Sequence, residues 1–273
     1  MIAIISDLHS NEEALKAVLK DINDFNVEEI HCLGDIVNYG PDPNAVIHLL
    51  IKHRVKSIMG NHDYSVIDPV NGYSMISPAM QDSLNYTLDV LEEPSREYLQ
   101  SLTWARSDEK GYFVHCCPPD RLRGHIREYI EDYTFKTLIE STHQPLCFVG
   151  HSHQEMIYTE RPSDDPDYTR IHGNQTPQKK TDTSYRNSTY TAGDHFLDPS
   201  IRYIINVGSV GFHKNGSPHA SYCLFDPKSN RLIYRHVRYD LEGLLDKLKS
   251  LDLTSDIERF VAKYLPIDKL WAV

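Results

Sequence analysis

The chain is predicted to fold as an α/β (α+β) protein, a parallel βαβ portion followed by a mostly antiparallel one. Three observations lead there. Short apolar runs alternate with helical patterns through the first half, and long aromatic and β-branched runs crowd the second. Between them, a stretch at about 159–199 is almost empty of aliphatic residues and rich in Asp, Thr, Ser, Asn, Pro and Lys.

In chain order, IAIIS reads as a buried strand, and Ala14, Leu15, Val18, Leu19 and Ile22 then fall on one helical face. EEIHCLGD and VKSIMG repeat the strand pattern, with a helix between them marked by Val46, Ile47, Leu49 and Leu50. Helical periodicity returns over 78–91 and 96–102, a strand follows at YFVHC, a helix is expected over 133–141, and LCFVG is again a strand. RYIINVG, ASYCLFD and RLIYRHVRY read as close-spaced strands of a mostly antiparallel sheet, closed by helices over 241–251 and 255–265. The polar stretch has too little apolar surface to build core, so it reads as a surface insertion or as a flap over a site, within one domain spanning 1–273.

Composition narrows the function. With 273 residues and 40% hydrophobic content, the chain can bury a sizeable core. Its net charge of −11 speaks against a general electrostatic grip on nucleic acid or on an anionic membrane. Neither a signal peptide nor a transmembrane span is read, and the cytoplasm is the expected location. Cys32, Cys116, Cys117, Cys147 and Cys223 lack the spacing of a disulfide framework or a Cys-based zinc site, so they read as small buried residues.

The strand ends carry the chemistry. SDLH places Asp7 and His9 after the first strand, LGD places Asp35 after the second, and GNHD places Asn61 and His62 after the third. VHC then supplies His115, and VGHSH supplies His151 and His153. Loops at these ends share one edge of an α/β sheet, where such folds set their ligand site. Imidazole, carboxylate and amide oxygen suit borderline-hard divalent ions such as manganese, iron, zinc or nickel, and the lack of thiolates disfavours a structural zinc. On an extended backbone Asp7 and His9, two apart, would point the same way.

Five ordered blocks, DLH, GD, GNHD, His115 and GHSH, resemble the motif series DxH, GD, GNH(D/E), H and GHxH of the calcineurin-like metallophosphoesterase superfamily. GDIVNYGPDP is similar to its bacterial and archaeal small-phosphoesterase (phosphodiesterase) branch, and INVGSVG and SYCLFD look like the strand pair that follows the last motif there. The resemblance implies a four-layer αββα sandwich of two mixed sheets, the metallo-dependent phosphatase fold. It also implies two divalent metal ions, one on Asp7, His9, Asp35 and His153, the other on Asp35, Asn61, His115 and His151, with Asp35 bridging. Four positive charges would then offset two carboxylates, so an acidic chain could still bind phosphate. The implied reaction is hydrolysis of a phosphate ester by a metal-bridging hydroxide, with His62 acting on phosphate oxygens or on the leaving group.

The departures point to substrate. The protein-phosphatase branch reads GDxVDRG, and here Asn38 and Tyr39 stand in place of its second Asp and its Arg. Asn38 can accept a hydrogen bond from His62 but offers no carboxylate charge. Small phosphorylated substrates, phosphodiesters or nucleotide polyphosphates, are therefore favoured over phosphoproteins. A non-catalytic interaction scaffold of the same fold would not need the full ligand set, and a nuclease would need a basic strip that the sequence lacks.

Overall fold

Why Ile2–Ile5 forms a fully buried strand becomes clear from its two faces. In the computed structural model, which describes residues 1–72, 74, 81–119, 135–160, 185–189, 193–212 and 219–251, Ile2 and Ile4 point between two sheets while Ala3 and Ile5 pack against helices. This strand, β1, is central to the first sheet. It pairs in parallel with β2 (Glu29–Cys32) and antiparallel with β11 (His219–Asp226). Beyond them lie β3 (Lys56–Ser57) on one side and β12 (Arg231–Arg238) and β9 (Gly193–Phe196) on the other, giving the order β3-β2-β1-β11-β12-β9.

The second sheet has the order β4-β5-β6-β10-β7-β8 and is also mixed: β5 (Gly111–Val114), β6 (Leu146–Val149) and β10 (Tyr203–Val207) run parallel. The flanking strands β4 (Ala105–Asp108), β7 (Glu155–Glu160) and β8 (Tyr185–Thr189) are antiparallel to their neighbours. Between the sheets, Phe148 stands among Ile2, Ile4, Leu33 and Ile205, with its ring centroid 5.4 Å from that of Phe113 and 5.7 Å from that of Phe225.

Helices complete the outer layers. On α1 (Glu12–Ile22) the buried residues are Ala14, Leu15, Val18, Leu19 and Ile22, the face read from the sequence. Asn11 starts that helix by accepting from the Ala14 N–H at 3.0 Å, and its amide also reaches Gly211 O at 2.8 Å. Losing such a cap costs about 1 kcal/mol. With α2 (Pro43–Lys52), α1 covers the outer face of the first sheet. On the chain's way between the sheets run α3 (Asn61–Ile67), α4 (Pro69–Gly72), α5 (Gln81–Val90) and α6 (Glu93–Gln100). Leu138 and Ile139 of α7 (Phe135–Glu140) pack with Val114, Val149 and Ile204 on the outer face of the second sheet. Near the end of the described chain, α8 (Leu241–Ser250) buries Leu241, Leu244 and Leu245 against the first.

Four short strands escaped the sequence reading. β4 is the polar ARSD at a sheet edge, and β7 lies between the GHSH turn and the polar stretch. β8 and β9 come from within 159–199, so that segment is not wholly an insertion: Leu197, at its end, is 7% exposed in the inter-sheet core. Edge strands hide because solvent on one side removes the need for apolar residues. The helix expected over 255–265, the starts of those over 78–91 and 133–141, and residues 161–184 of the polar stretch lie outside the described residues.

Candidate metal centre

The turns after β1 and β2 are zipped together by backbone bonds, Asp7 N to Gly34 O at 3.0 Å, His9 N to Asp35 O at 3.0 Å and Ser10 N to Ile36 O at 2.9 Å. They are not extended. Asp7, His9, Asp35, His151 and His153 all have left-handed backbones, with φ of 55°, 48°, 52°, 66° and 56°. The extended DLH read from sequence is thus corrected: a left-handed bend, costing roughly 1 kcal/mol or more per non-glycine residue, turns Asp7 and His9 to the same point. Gly34 and Gly60 let the ends of β2 and β3 touch, since a Cβ on Gly34 would collide with the backbone nitrogen of Gly60. A Cβ on Gly150 would come within 2.6 Å of Asp7 Oδ2.

Two donor groups result, Asp7 with His9 and His153, and Asp35 with His115 and His151. In the first, His9 Nε2 lies 3.1 Å from His153 Nε2, which is 3.4 Å from Asp7 Oδ1. In the second, His115 Nε2 lies 3.2 Å from Asp35 Oδ2, 3.2 Å from His151 Nδ1 and 3.1 Å from Asn61 Oδ1. Asp35 Oδ2 also stands 3.8 Å from His9 Nε2, between the groups. All seven residues predicted as ligands meet here.

The protons are placed by the backbone. Nδ1 of His9, His115 and His153 donate to Val37 O at 3.3 Å, Leu33 O at 2.8 Å and Phe212 O at 2.7 Å, because a carbonyl can only accept. Their Nε2 lone pairs then converge with carboxylate and amide oxygens, a set that repels itself unless a cation sits within it. The charges agree. Burial raises the Asp35 carboxyl, but His115 and His62 outweigh it and hold it well below the usual carboxylate range. Burial and the neighbouring His153 keep His9 well below the ordinary imidazole value. Burial also works against charge on His115, yet Asp35 and Asp7 raise it to about 9, so the carboxylates favour positive charge at this position. The residues fit divalent metal ions.

Comparison with known proteins agrees. A family model described as the calcineurin-like phosphoesterase superfamily domain matches residues 1–230. The chain belongs to this superfamily. It is therefore a metallophosphoesterase, a hydrolase acting on phosphate esters, from a metal-dependent family. It is similar to an uncharacterised protein of Methanocaldococcus jannaschii, 32% identical over 91% of both chains. A crystal structure of a metallophosphoesterase from Sphaerobacter thermophilus superposes with a TM-score of 0.74 at 28% identity, covering 97% of this chain and 98% of that one. A symmetrical bis(5'-nucleosyl)-tetraphosphatase of Acidovorax sp. is 27% identical over 44% of this chain and 42% of its own. Among the described residues no helix is long and apolar enough to cross a membrane.

Beside the donor groups of this phosphoesterase sits His62, whose backbone N–H donates to Asp35 Oδ1 at 2.9 Å. The Asn38 amide nitrogen is 3.2 Å from His62 Nδ1, 3.3 Å from His62 O and 3.2 Å from Ser65 Oγ. Ser65 Oγ already donates to His62 O at 2.7 Å, so it can only accept from Asn38. The bond expected from sequence is thus reversed: Asn38 donates to His62, and the imidazole proton belongs on Nε2. There it meets Tyr39 Oη at 3.0 Å. Tyr39, φ 67°, also lies against His9 with ring centroids 4.2 Å apart. Sequence reading registered Tyr39 only as a departure from GDxVDRG, since nothing local shows that its ring crosses to His62. Asp63 accepts from the N–H groups of Gly60, Ile36 and Val37 at 2.9, 2.8 and 3.2 Å, locking the start of α3 to the Asp35 turn.

Proposed function

We propose that this metallophosphoesterase is dinuclear and hydrolyses phosphodiesters or nucleotide polyphosphates. Asp7, His9, Asp35 and His153 would hold one divalent ion and Asp35, Asn61, His115 and His151 the other. The observation that carries this is the position of Asp35 Oδ2 within reach of His9 of one group and His115 of the other. Manganese, iron, zinc or nickel suits the nitrogen and oxygen donors. Such ions, when bound, supply charge for the phosphoryl oxygens and lower the pKa of water for attack at phosphorus.

The chain's own residues supply the rest. His62, with its proton kept on Nε2 by Asn38, presents a hydrogen-bond donor for a phosphoryl or leaving-group oxygen. Tyr39 accepts that proton's hydrogen bond in the resting site and sets the ring's direction. Asp63 holds Asn61 and His62 in place by tying α3 to the backbone after Asp35.

Small substrates are favoured because Asn38 and Tyr39 put neutral groups where the protein-phosphatase branch carries an Asp and an Arg, and because a relative is named a tetraphosphatase. A cytoplasmic location is supported by five free, buried cysteines, the pattern of a reducing compartment. The test joins metal analysis of purified protein to an activity panel of monoesters, diesters, a dinucleoside tetraphosphate and a phosphopeptide. Two ions per chain with turnover of diester or dinucleotide are expected. One ion at saturation, or turnover of the phosphopeptide alone, would overturn the reading.

A further inference from the structure

Away from the donor cluster but on the same edge of the molecule, two aromatic rings touch: Tyr64 and Trp104, with centroids 5.2 Å apart and planes at 46°. Tyr64 belongs to α3, whose first two residues are Asn61 and His62. Its hydroxyl donates to Asp68 Oδ2 at 3.0 Å, and Asp68 also accepts from the Asn71 side chain at 2.8 Å, which fixes the direction of the ring. Trp104 is 41% exposed.

The position of Trp104 follows from the sheet. β4 and β5 pair antiparallel from Ala105 opposite Val114 onward, so Trp104, just before β4, and His115, just after β5, both lie past the same end of that ladder. At that end of β5 the His115 side chain meets Leu33 and Asp35. Thr103, just before, is tied to the end of β3 by the Met59 N–H at 2.8 Å, which brings Trp104 to α3. The ring pair therefore lies at the same end of the sheets as Asn61 and His115.

The geometry points to a stacking platform on Tyr64 and Trp104 for the nucleobase of a nucleotide substrate whose phosphates lie at the donor cluster. This rests on the phosphoesterase reading above and names the substrate class within it. A base stacks on an aromatic ring whatever its identity, and an exposed tryptophan beside a phosphate site offers that surface. The chain's net charge of −11 favours a mononucleotide or dinucleotide over a long nucleic-acid backbone.

Two measurements test it. The chain has two tryptophans, Trp104 and Trp271, so Trp271→Phe leaves Trp104 as the only tryptophan reporter. In the metal-loaded protein, adenosine monophosphate should quench its fluorescence saturably and ribose 5-phosphate should not. Trp104→Ala should raise KM for diadenosine tetraphosphate about ten-fold, leave KM for inorganic tripolyphosphate unchanged, and be rescued by Trp104→Tyr. Equal quenching by both probes, no quenching, or a KM that is unchanged or rises alike for both substrates would overturn the platform. A wild-type protein that turns over neither substrate would count against the substrate reading of the preceding subsection, whereas the quenching contrast judges the platform by itself.

Discussion

Asn38 donates its amide to Nδ1 of His62 at 3.2 Å, an interaction that fixes which end of the imidazole carries the proton. Burial lowers the pKa of His62, and Asn38 adds no charge to oppose it. Asn38→Asp would replace this donor with a charged acceptor, move the proton to Nδ1 and raise the His62 pKa. NMR titration of the metal-loaded variant, with the His62 signal assigned by its loss in His62→Gln, should show that upward shift. An unshifted titration would deny the coupling. His62→Gln itself should leave metal content at the wild-type level and lower turnover by about 10² to 10⁴.

Tyr39→Phe removes the hydroxyl 3.0 Å from His62 Nε2 but keeps the ring against His9. Metal content and melting temperature should hold while kcat falls, by less than in His62→Gln. A loss of bound metal equal to the loss of activity would show that Tyr39 serves the donor cluster and not His62.

Asp35→Asn removes the carboxylate charge between His9 and His115. Metal per chain, measured by mass spectrometry of the elements, should drop together with turnover. Unchanged metal content would remove the shared role given to Asp35.

Far from the site, Glu29 meets Lys56 Nζ at 2.6 Å and Lys110 Nζ at 3.1 Å. The Lys56 hydrogen bond, against the pull of burial and with help from Lys110 and His31, lowers its pKa to about 2. A depressed carboxyl stabilises the fold fully above its unfolded pKa of about 4.3, and that contribution is lost as pH falls toward 2. Melting curves of wild type and Glu29→Gln should differ at pH 7 and converge between about 4 and 2. A gap that is constant with pH would mean the charge contributes nothing.

Glu160 and Tyr185 are register partners across β7 and β8, so a tight turn can join them in place of 161–184. That replacement should leave the melting temperature close to wild type. Extending the deletion through Phe196 removes β8 from β7 and β9 from β12 and should lower it clearly. Equal melting temperatures would show that neither β8 nor β9 adds stability.

The donor types, their order along the chain and the edge on which they meet are legible in the sequence alone. Metal-dependent chemistry on phosphate esters demands particular side chains, and strand alternation with helices sets those side chains at the carboxyl ends of a parallel array. The periodicity of α1 and the apolar runs of β1, β6, β10 and β11 were legible for a similar reason, since both faces or a full stripe of each are buried. Tertiary structure decided the rest. Left-handed φ at Asp7, His9, Asp35, His151 and His153 is imposed by turns that bond to one another across the sheet, which no local propensity favours. The polar edge strands β4, β8 and β9 exist because a neighbour offers them hydrogen bonds, not because their residues prefer a sheet. The direction of the Asn38 bond depends on Ser65 and His62, and the meeting of Tyr64 with Trp104 depends on β3, β4 and α3 arriving together. Such contacts arise from packing between residues distant in sequence, where a one-dimensional pattern carries no signal.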